Sequence, residues 1–202
     1  MPIRSLHPTA VALVQTVEKL LDETSISNIH SEKVLEISGI SKGSLYHHFE
    51  DFQELIEISL LYRYSKWIDA TIDAMAKLLY SARTKNELRL ALFDITARTQ
   101  RDSLRSVRIE RARIFAEADR NPRLAARLTK ESERITTSIE DLIREVISRG
   151  LFKDGLSPRA VAVFIQAYST GYIINDFVEN KLAEKEWVNL INSIIDQMFI
   201  GN

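Results

Sequence analysis

Apolar residues recur every three to four positions along almost all of this 202-residue chain. That spacing places apolar side chains on one face of an α-helix. Only six glycines and four prolines are available to interrupt helices. The sequence also lacks the alternating apolar and polar runs, ended by Asn-Gly-type turns, that are typical of strands. It therefore predicts an all-α fold.

Composition excludes several classes of protein. Apolar residues make up 45% of the chain, too many for a disordered protein and enough for a proper core in one large or two small domains. No apolar run approaches the length of a membrane span, and the first residues do not resemble a secretory signal. The absence of cysteine excludes disulfides, thiolate nucleophiles and cysteine zinc sites. We expect a cytoplasmic protein.

Charge is distributed unevenly. Residues 1–60 carry four Lys and Arg against nine Asp and Glu, a net charge of −5. Residues 81–150 carry sixteen Lys and Arg against eleven acids, a net charge of +5. All four histidines lie within the first 48 residues. This asymmetry indicates two regions with different roles.

Helix boundaries can be predicted from capping residues. A first helix starts after Thr9, and a second follows Ser31 and ends at Gly39, because glycine accepts the left-handed conformation of a helix exit. Ser41 caps a third helix that reaches about Phe49. The later predictions are a fourth helix over about 51–80, starts at Thr84, Asn121-Pro122 and Ser157-Pro158, an end at Gly150, and final helices over about 158–179 and 184–200 stopped by Gly201.

In the segment "SGISKGSLYHHFEDF", which runs from Ser38 to Phe52, the run "SGIS" joins two helices of about seven residues through a tight turn. This arrangement is a helix-turn-helix, whose second helix presents its first side chains to the major groove of DNA. Ile40, Leu45 and Phe49 form the inward stripe that fixes the angle between the helices. The outward side chains suit phosphate oxygens and base edges. They are Lys42, Gly43, Ser44, Tyr46, His47 and His48.

The run "ISGISKGSLYHHFEDFQELI", with the helix before it, resembles the amino-terminal DNA-binding domain of TetR-family transcriptional regulators. The match covers roughly residues 10–60, and the rest resembles the family only in outline. The resemblance implies a homodimeric regulator, usually a repressor, that binds an inverted-repeat operator in double-stranded DNA and is controlled by a small-molecule effector. The domains would be residues 1–50, which bind DNA, and residues 51–202, which bind effector and dimerise. The implied DNA contacts are Ser31, Ser41, Lys42, Gly43, Ser44, Tyr46, His47 and His48.

This chain departs from the family pattern at several positions. Phe52 and Gln53 stand where the family usually has lysine and glutamate, so one phosphate contact is lost. Thr24-Ser25 replaces an expected glycine, Leu35 replaces a small residue, and the amino-terminal arm offers only Arg4. Because phosphate neutralisation sets the salt dependence of DNA binding, we expect weak non-specific binding and a shallow salt slope.

Other functions are less well supported. Adjacent residues on a helix point about 100° apart, so His47 and His48 cannot easily share a metal ion. A helical-bundle enzyme is disfavoured because no histidine follows residue 48 and no phosphate loop or paired Glu-x-x-His is present. A protein-interaction adaptor that has lost DNA binding stays open, because the first domain is acidic. We predict no catalytic residue, metal or cofactor.

A basic run lies in the second half of the chain. Arg98, Arg101, Arg105 and Arg108 would form one stripe on a continuous helix, although a break near Asp102-Ser103 would divide it. Two interpretations remain. The run is a solvated face with acidic partners, or one or two arginines turn inward and bind an anionic effector. The run continues with Arg111, Arg113, Arg120, Arg123 and Arg127.

The carboxy-terminal region supplies candidates for an effector pocket and a dimer interface. Pocket candidates are aromatic residues and polar residues in apolar helices: Tyr62, Trp67, Phe93, Phe115, Phe164, Gln166, Tyr168, Tyr172 and Asn175. The last helix is strongly amphipathic, and it either packs within the subunit or joins the preceding helix in a four-helix dimer interface. Interface candidates are Gly171, Trp187, Leu190, Ile191, Ile194, Ile195 and Met198.

Overall fold

The computed structural model describes residues 6–200, apart from the side chain of Met198, and this part of the chain is helical without strands. The all-α prediction is confirmed. Shorter 3₁₀ turns occupy Ile26–Asn28, Asp102–Leu104 and Tyr172–Phe177, and a π-helical turn occupies Ile195–Ile200. The α-helices are α1 (Pro8–Glu23), α2 (Ser31–Ser38), α3 (Lys42–His48), α4 (Phe52–Ser81), α5 (Lys85–Thr99), α6 (Arg105–Arg120), α7 (Pro122–Ser148), α8 (Pro158–Gly171) and α9 (Glu184–Ile194).

Local capping chemistry explains the turn between α2 and α3. Gly39 ends α2 with a φ of +67°, the left-handed conformation predicted for it. The Ser41 side chain then accepts a hydrogen bond from the Ser44 amide at 3.2 Å and starts α3. Ser31 is the first residue of α2, and His30 occupies the cap position. The predicted caps Thr84, Asn121 and Ser157 each accept a hydrogen bond from an amide three residues onward.

The end of the chain differs from the sequence prediction. Helix α8 ends at Gly171, not near residue 179, and continues as the 3₁₀ turn. Within that turn, Tyr172 bonds Asp102 and Asp176 bonds Arg108, and these contacts tie the segment to residues around the start of α6. The break predicted near Asp102 is present as the 3₁₀ turn between α5 and α6. Gly201, predicted to stop the last helix, lies outside the described residues.

The chain forms two compact units that are not continuous in sequence. The first unit contains the described residues up to Trp67 together with Glu117–Leu128. The second contains Ile68–Ala116 and the residues from Thr129 onward. The sequence-based division into 1–50 and 51–202 used continuous segments. In the structure the first unit also contains the first half of α4 and the junction between α6 and α7, while the functional division stays a prediction.

The first unit has its own apolar core, built from the three amino-terminal helices and the start of α4. The buried residues of α1 follow the helical period on which the all-α prediction rested. Leu45 from α3 and Leu55 from α4 are fully buried in the same cluster. The complete cluster is Ala10, Leu13, Val14, Val17, Leu20, Leu21, Ile29, Val34, Leu45, Phe49, Leu55 and Ile56.

The second unit is a helical bundle with buried apolar residues on several of its helices. Helix α9 and the π-helical turn pack against α5, and Ile191 and Ile200 are buried there. Helix α7 contributes a long buried stripe that includes Ile135, Ile143 and Val146. Among the described helices, none combines the length and apolar character needed to cross a membrane.

Candidate nucleic-acid interface

Helix α3 is seated in the first unit by two apolar side chains. Leu45 and Phe49 are buried in the core, and Ile40 packs against the same cluster from the preceding turn. The three positions lie four or five residues apart, so they share one side of the turn and helix. The inward stripe predicted from the sequence is therefore present, and the opposite side of α3 is left at the surface.

The opposite side of α3 is polar. Ser41, Lys42, Gly43, Tyr46 and His47 are exposed. Ser44 and His48 are partly buried on the same helix, and Ser31 is partly buried at the start of α2. Seven of the eight predicted contact residues thus lie on α3 or its cap. The structure brings together hydroxyl, ammonium, phenol and imidazole groups on a rigid helix.

Three histidines lie together on the first unit. The rings of His7 and His48 stack with centroids 4.9 Å apart, and His47 meets His48 edge-on at 5.0 Å. Loss of solvation, together with the neighbouring His7 and His47, lowers the pKa of His48 below its usual value. Nothing in the sequence around His7 indicates this stack. Within the described residues, no group of three or more His, Cys, Asp or Glu is arranged to hold a metal ion.

Arginines of α7 pair with the acids that precede and begin α4. Arg123 donates from Nη1 and Nη2 to the two carboxylate oxygens of Asp51 at 3.0 and 2.9 Å, and from Nε to Glu57 at 2.9 Å. Its Nη1 also reaches Glu50 at 3.3 Å. Arg127 forms an ion pair with Glu54. Arginine suits this role because its planar donors match carboxylates in pairs.

These pairs change the electrostatics of the first unit. Hydrogen bonds from Arg123 and from the Glu54 amide lower the pKa of Asp51. Burial acts to raise the pKa of Glu54, but the bond from Arg127 lowers it overall. On α1, Glu18 pairs with Lys66 at 2.7 Å and Asp22 with Arg63 at 2.8 Å. Segments 1–67 and 117–128 together carry nine basic and eleven acidic residues, so the net charge is −2.

Solved structures of transcriptional regulators share this fold over almost the whole chain. A TetR-family regulator from Mesorhizobium loti matches with a TM-score of 0.68 and 19% identity, covering 92% of each chain. The protein has the TetR-family fold. A TetR regulator from Haloarcula marismortui matches with a TM-score of 0.64 and 14% identity, over 92% of this chain and 94% of that one. No protein-family model matches the sequence, and no curated protein matches it significantly.

A third matching structure contains a bound ligand. A transcriptional regulator from Saccharomonospora viridis in complex with choline matches with a TM-score of 0.66 and 15% identity, over 96% of this chain and 98% of that one. The resemblance inferred from the helix-turn-helix segment is confirmed at the level of the fold.

In this TetR fold the basic run does not form one stripe. Arg98 is exposed and pairs with Asp94 one turn earlier, while Arg101, Arg105, Arg113 and Arg120 are exposed. Arg108 turns inward. It forms a two-bond pair with Asp176, both bonds at 2.8 Å, and donates to the Arg101 carbonyl. The side chains of this pair are only 4% and 7% exposed, so the inward arginine already has an internal anion.

The nine effector-pocket candidates are divided between the two units of the TetR fold. Tyr62 and Trp67 lie in the first unit, where Tyr62 packs against the apolar core. The other seven lie in the second unit, where Phe115 is exposed and Phe93 is partly buried. In the second unit the polar candidates have internal partners. They are Gln166 bonded to Thr136, Asn175 bonded to Tyr172 and Leu182, and Tyr172 bonded to Asp102.

Ring contacts organise the second unit around α8. Tyr172 stacks on Trp187 with centroids 5.0 Å apart, and the Arg108 guanidinium lies 4.9 Å from the Tyr172 centroid. Phe164 lies 5.3 Å from Tyr168. Burial raises the pKa of Tyr168. The indole of Trp187 donates to the fully buried Gln100, a residue that the sequence analysis did not single out.

The dimer-interface candidates differ in solvent exposure. Ile191 and Ile195 are buried within the chain, Trp187 and Ile194 are partly buried, and Gly171 and Leu190 are exposed. The side chain of Met198 lies outside the described residues. Other exposed apolar side chains lie on α8 and on the 3₁₀ turn after it. They are Val163, Ile174 and Phe177, with exposed fractions of 50%, 72% and 68%.

Proposed function

We propose that this protein is a dimeric DNA-binding transcriptional regulator, acting as a repressor under the control of a small-molecule effector. The observation that carries the proposal is the exposed polar face of α3, held on a buried apolar seat within a helix-turn-helix. Lys42 supplies a phosphate-binding charge, and Tyr46 and His47 supply groups that can bond base edges or phosphates.

Gly43 supports the DNA interface independently. Apart from the adjacent residues and the backbone of its own helix, a Cβ added at this position would meet no atom within 4 Å, and the residue does not adopt a positive φ. Neither packing nor backbone conformation therefore requires glycine here, although glycine weakens a helix. A close approach of DNA to the α3 backbone would account for it.

DNA binding can be tested with duplexes from the DNA flanking the gene for this protein. We expect the wild type to retain a specific fragment, and Lys42→Ala and Tyr46→Ala to weaken that binding. Lys19→Ala is the matched control, because Lys19 is an exposed lysine on α1, outside the proposed contact set. Failure of the wild type to retain any fragment at low salt would refute the proposal.

The proposed dimer uses the apolar surface of α8 and the following 3₁₀ turn. A two-fold pair would place two α3 helices in successive major grooves, about 34–36 Å apart or a multiple of it, on an inverted-repeat operator. Val163 and Ile174 support this surface because both are large, apolar and at least half exposed. Ile174→Glu should convert the dimer to monomer in analytical ultracentrifugation. Leu90→Glu, at a position 59% exposed on α5, is the control.

The proposed effector site lies in the second unit, where aromatic and polar side chains converge around α8. Aromatic faces recognise quaternary ammonium groups such as choline, the ligand of the Saccharomonospora viridis regulator. In this chain the Arg108 guanidinium lies over Tyr172, so a cation would have to compete with it. Thermal unfolding with choline and with a panel of small anions and aromatics would identify the class, and release of bound DNA would show control.

A further inference from the structure

Arg123 binds the segment that connects α3 to α4, although it lies more than 70 residues away in sequence. Its guanidinium donates hydrogen bonds to both carboxylate oxygens of Asp51 and to Glu50. These two residues belong to residues 49–51, the link between α3 and α4. The same guanidinium holds Glu57, one turn into α4. All of these residues lie in the first unit.

Two carboxylates also cap backbone amides in and next to this link. Asp51 accepts a hydrogen bond from the Glu54 amide at 2.6 Å, and Glu54 accepts one from the Glu50 amide at 2.6 Å. These bonds resemble a capping box, except that the Glu54 carboxylate binds the amide of Glu50 and not that of the cap residue Asp51. Arg123 also donates two parallel hydrogen bonds to the cap residue Asp51. The path of the chain from α3 to α4 is therefore fixed both by the Glu54 amide and by the Arg123 guanidinium.

Loss of the Arg123 contact would be energetically unfavourable because of Glu57. This carboxylate is fully buried, and its partners are Arg123 and the side-chain amide of Asn121. A buried carboxylate without a cation is strongly unfavourable, so removal of Arg123 would force the start of α4 to rearrange. Phe52 packs against the apolar core, at the position where the family resemblance leads one to expect a phosphate-binding lysine. Internal contacts therefore hold this end of α4.

We infer that Arg123 is a positioning residue for DNA recognition, which sets the orientation of α3 through Asp51 and Glu57 without touching DNA. The inference rests on the proposal that α3 binds DNA. It assigns a role to part of the basic run, and it explains why acids next to the recognition helix are compatible with DNA binding. Their charges are directed at Arg123 and Arg127.

The decisive variants are Arg123→Ala and Asp51→Asn, measured on a duplex fragment that the wild type retains. Asparagine is as good a helix cap as aspartate, so Asp51→Asn removes the charged partner while keeping the cap. If these variants acted only by changing the net charge near the DNA phosphates, Arg123→Ala would bind DNA more weakly and Asp51→Asn would bind it more tightly. A positioning role predicts a loss for both, of about tenfold or more, the size expected when one base contact is misplaced.

Two further variants and one readout complete the test. Arg120→Ala removes an exposed arginine from the same unit. Its change in the logarithm of the DNA dissociation constant should be less than half of the change in Arg123→Ala. Arg123→Lys should rescue only part of the loss, because lysine cannot form the two parallel hydrogen bonds. Hydrogen exchange without DNA should rise at the amides of residues 49–55 in Arg123→Ala.

The outcomes separate the inference from the proposed function. Retention of no fragment by the wild type would overturn the proposed function and, with it, the role of Arg123. Specific binding by the wild type, with Asp51→Asn binding as tightly or more tightly, would overturn the positioning role alone. Equal losses for Arg123→Ala and Arg120→Ala, or unchanged exchange at residues 49–55, would also overturn it.

Discussion

Gly43→Ala should affect folding and DNA binding in opposite directions. Apart from the adjacent residues and the backbone of its own helix, the added methyl group meets no atom within 4 Å, and the backbone is helical without a positive φ, so the substitution introduces no clash and no strain. Alanine is better than glycine in helices because it loses less backbone entropy on folding. The free energy of unfolding should therefore rise, by about 0.5 kcal/mol, since Gly43 lies in the first turn and not in the helix interior.

DNA affinity should fall in the same variant. If the α3 backbone approaches a phosphate or a base edge at Gly43, the methyl group occupies that space, and we expect about a tenfold loss, or about 1.4 kcal/mol. Urea unfolding followed by circular dichroism would measure the first effect. Fluorescence anisotropy on a retained duplex would measure the second. Lower stability would contradict the packing argument, and unchanged affinity in a correctly folded variant would contradict close approach of DNA at this residue.

Three other predictions concern charge. Asp176→Ala should cost about 3–5 kcal/mol of unfolding free energy because it leaves Arg108 buried without its anion, and Arg108→Met with Asp176→Leu should recover most of the loss in the same urea measurement. The pKa of His48 is lowered in the folded state, so the unfolded chain takes up this proton first. The His48 contribution to stability should be present above about pH 6.5 and decline as pH falls below it, and His48→Gln should flatten that dependence in thermal unfolding. The salt slope of DNA binding should be shallow, and Lys42→Ala should reduce it by about 1 per subunit in titrations at several salt concentrations.

Several features of α3 and its turn could be predicted because their causes lie close together in sequence. Gly39 ends α2 through its own backbone conformation, and Ser41 caps an amide three residues onward. Leu45 and Phe49 share a face because they are four residues apart, and both are buried. The polar side chains between them therefore had to point outward. Local rules of this kind were sufficient to place seven of the eight proposed contact residues on one helix and its cap.

The role of the arginines was not predictable in the same way. The sequence left open whether one or two arginines of the run turn inward, and it did not show which ones. The structure leaves Arg98 exposed and buries Arg108 against Asp176, 68 residues later. Charge patterning shows which residues can pair, but not which partner the fold brings within 3 Å. The acids beside α3 raised the same difficulty, since their partner Arg123 belongs to α7.

The sequence by itself determined the helical class, the helix-turn-helix and the polar face of α3, because helical period and capping depend on residues within one or two turns. Only the tertiary structure decided what those helices contact. Helix α9 is amphipathic from sequence, but its apolar face could have met its own subunit or another one. The structure buries Ile191 within its own chain and leaves Val163 and Ile174 exposed. Which apolar side chains are buried depends on contacts between residues far apart in the chain, and a local sequence pattern cannot predict those contacts.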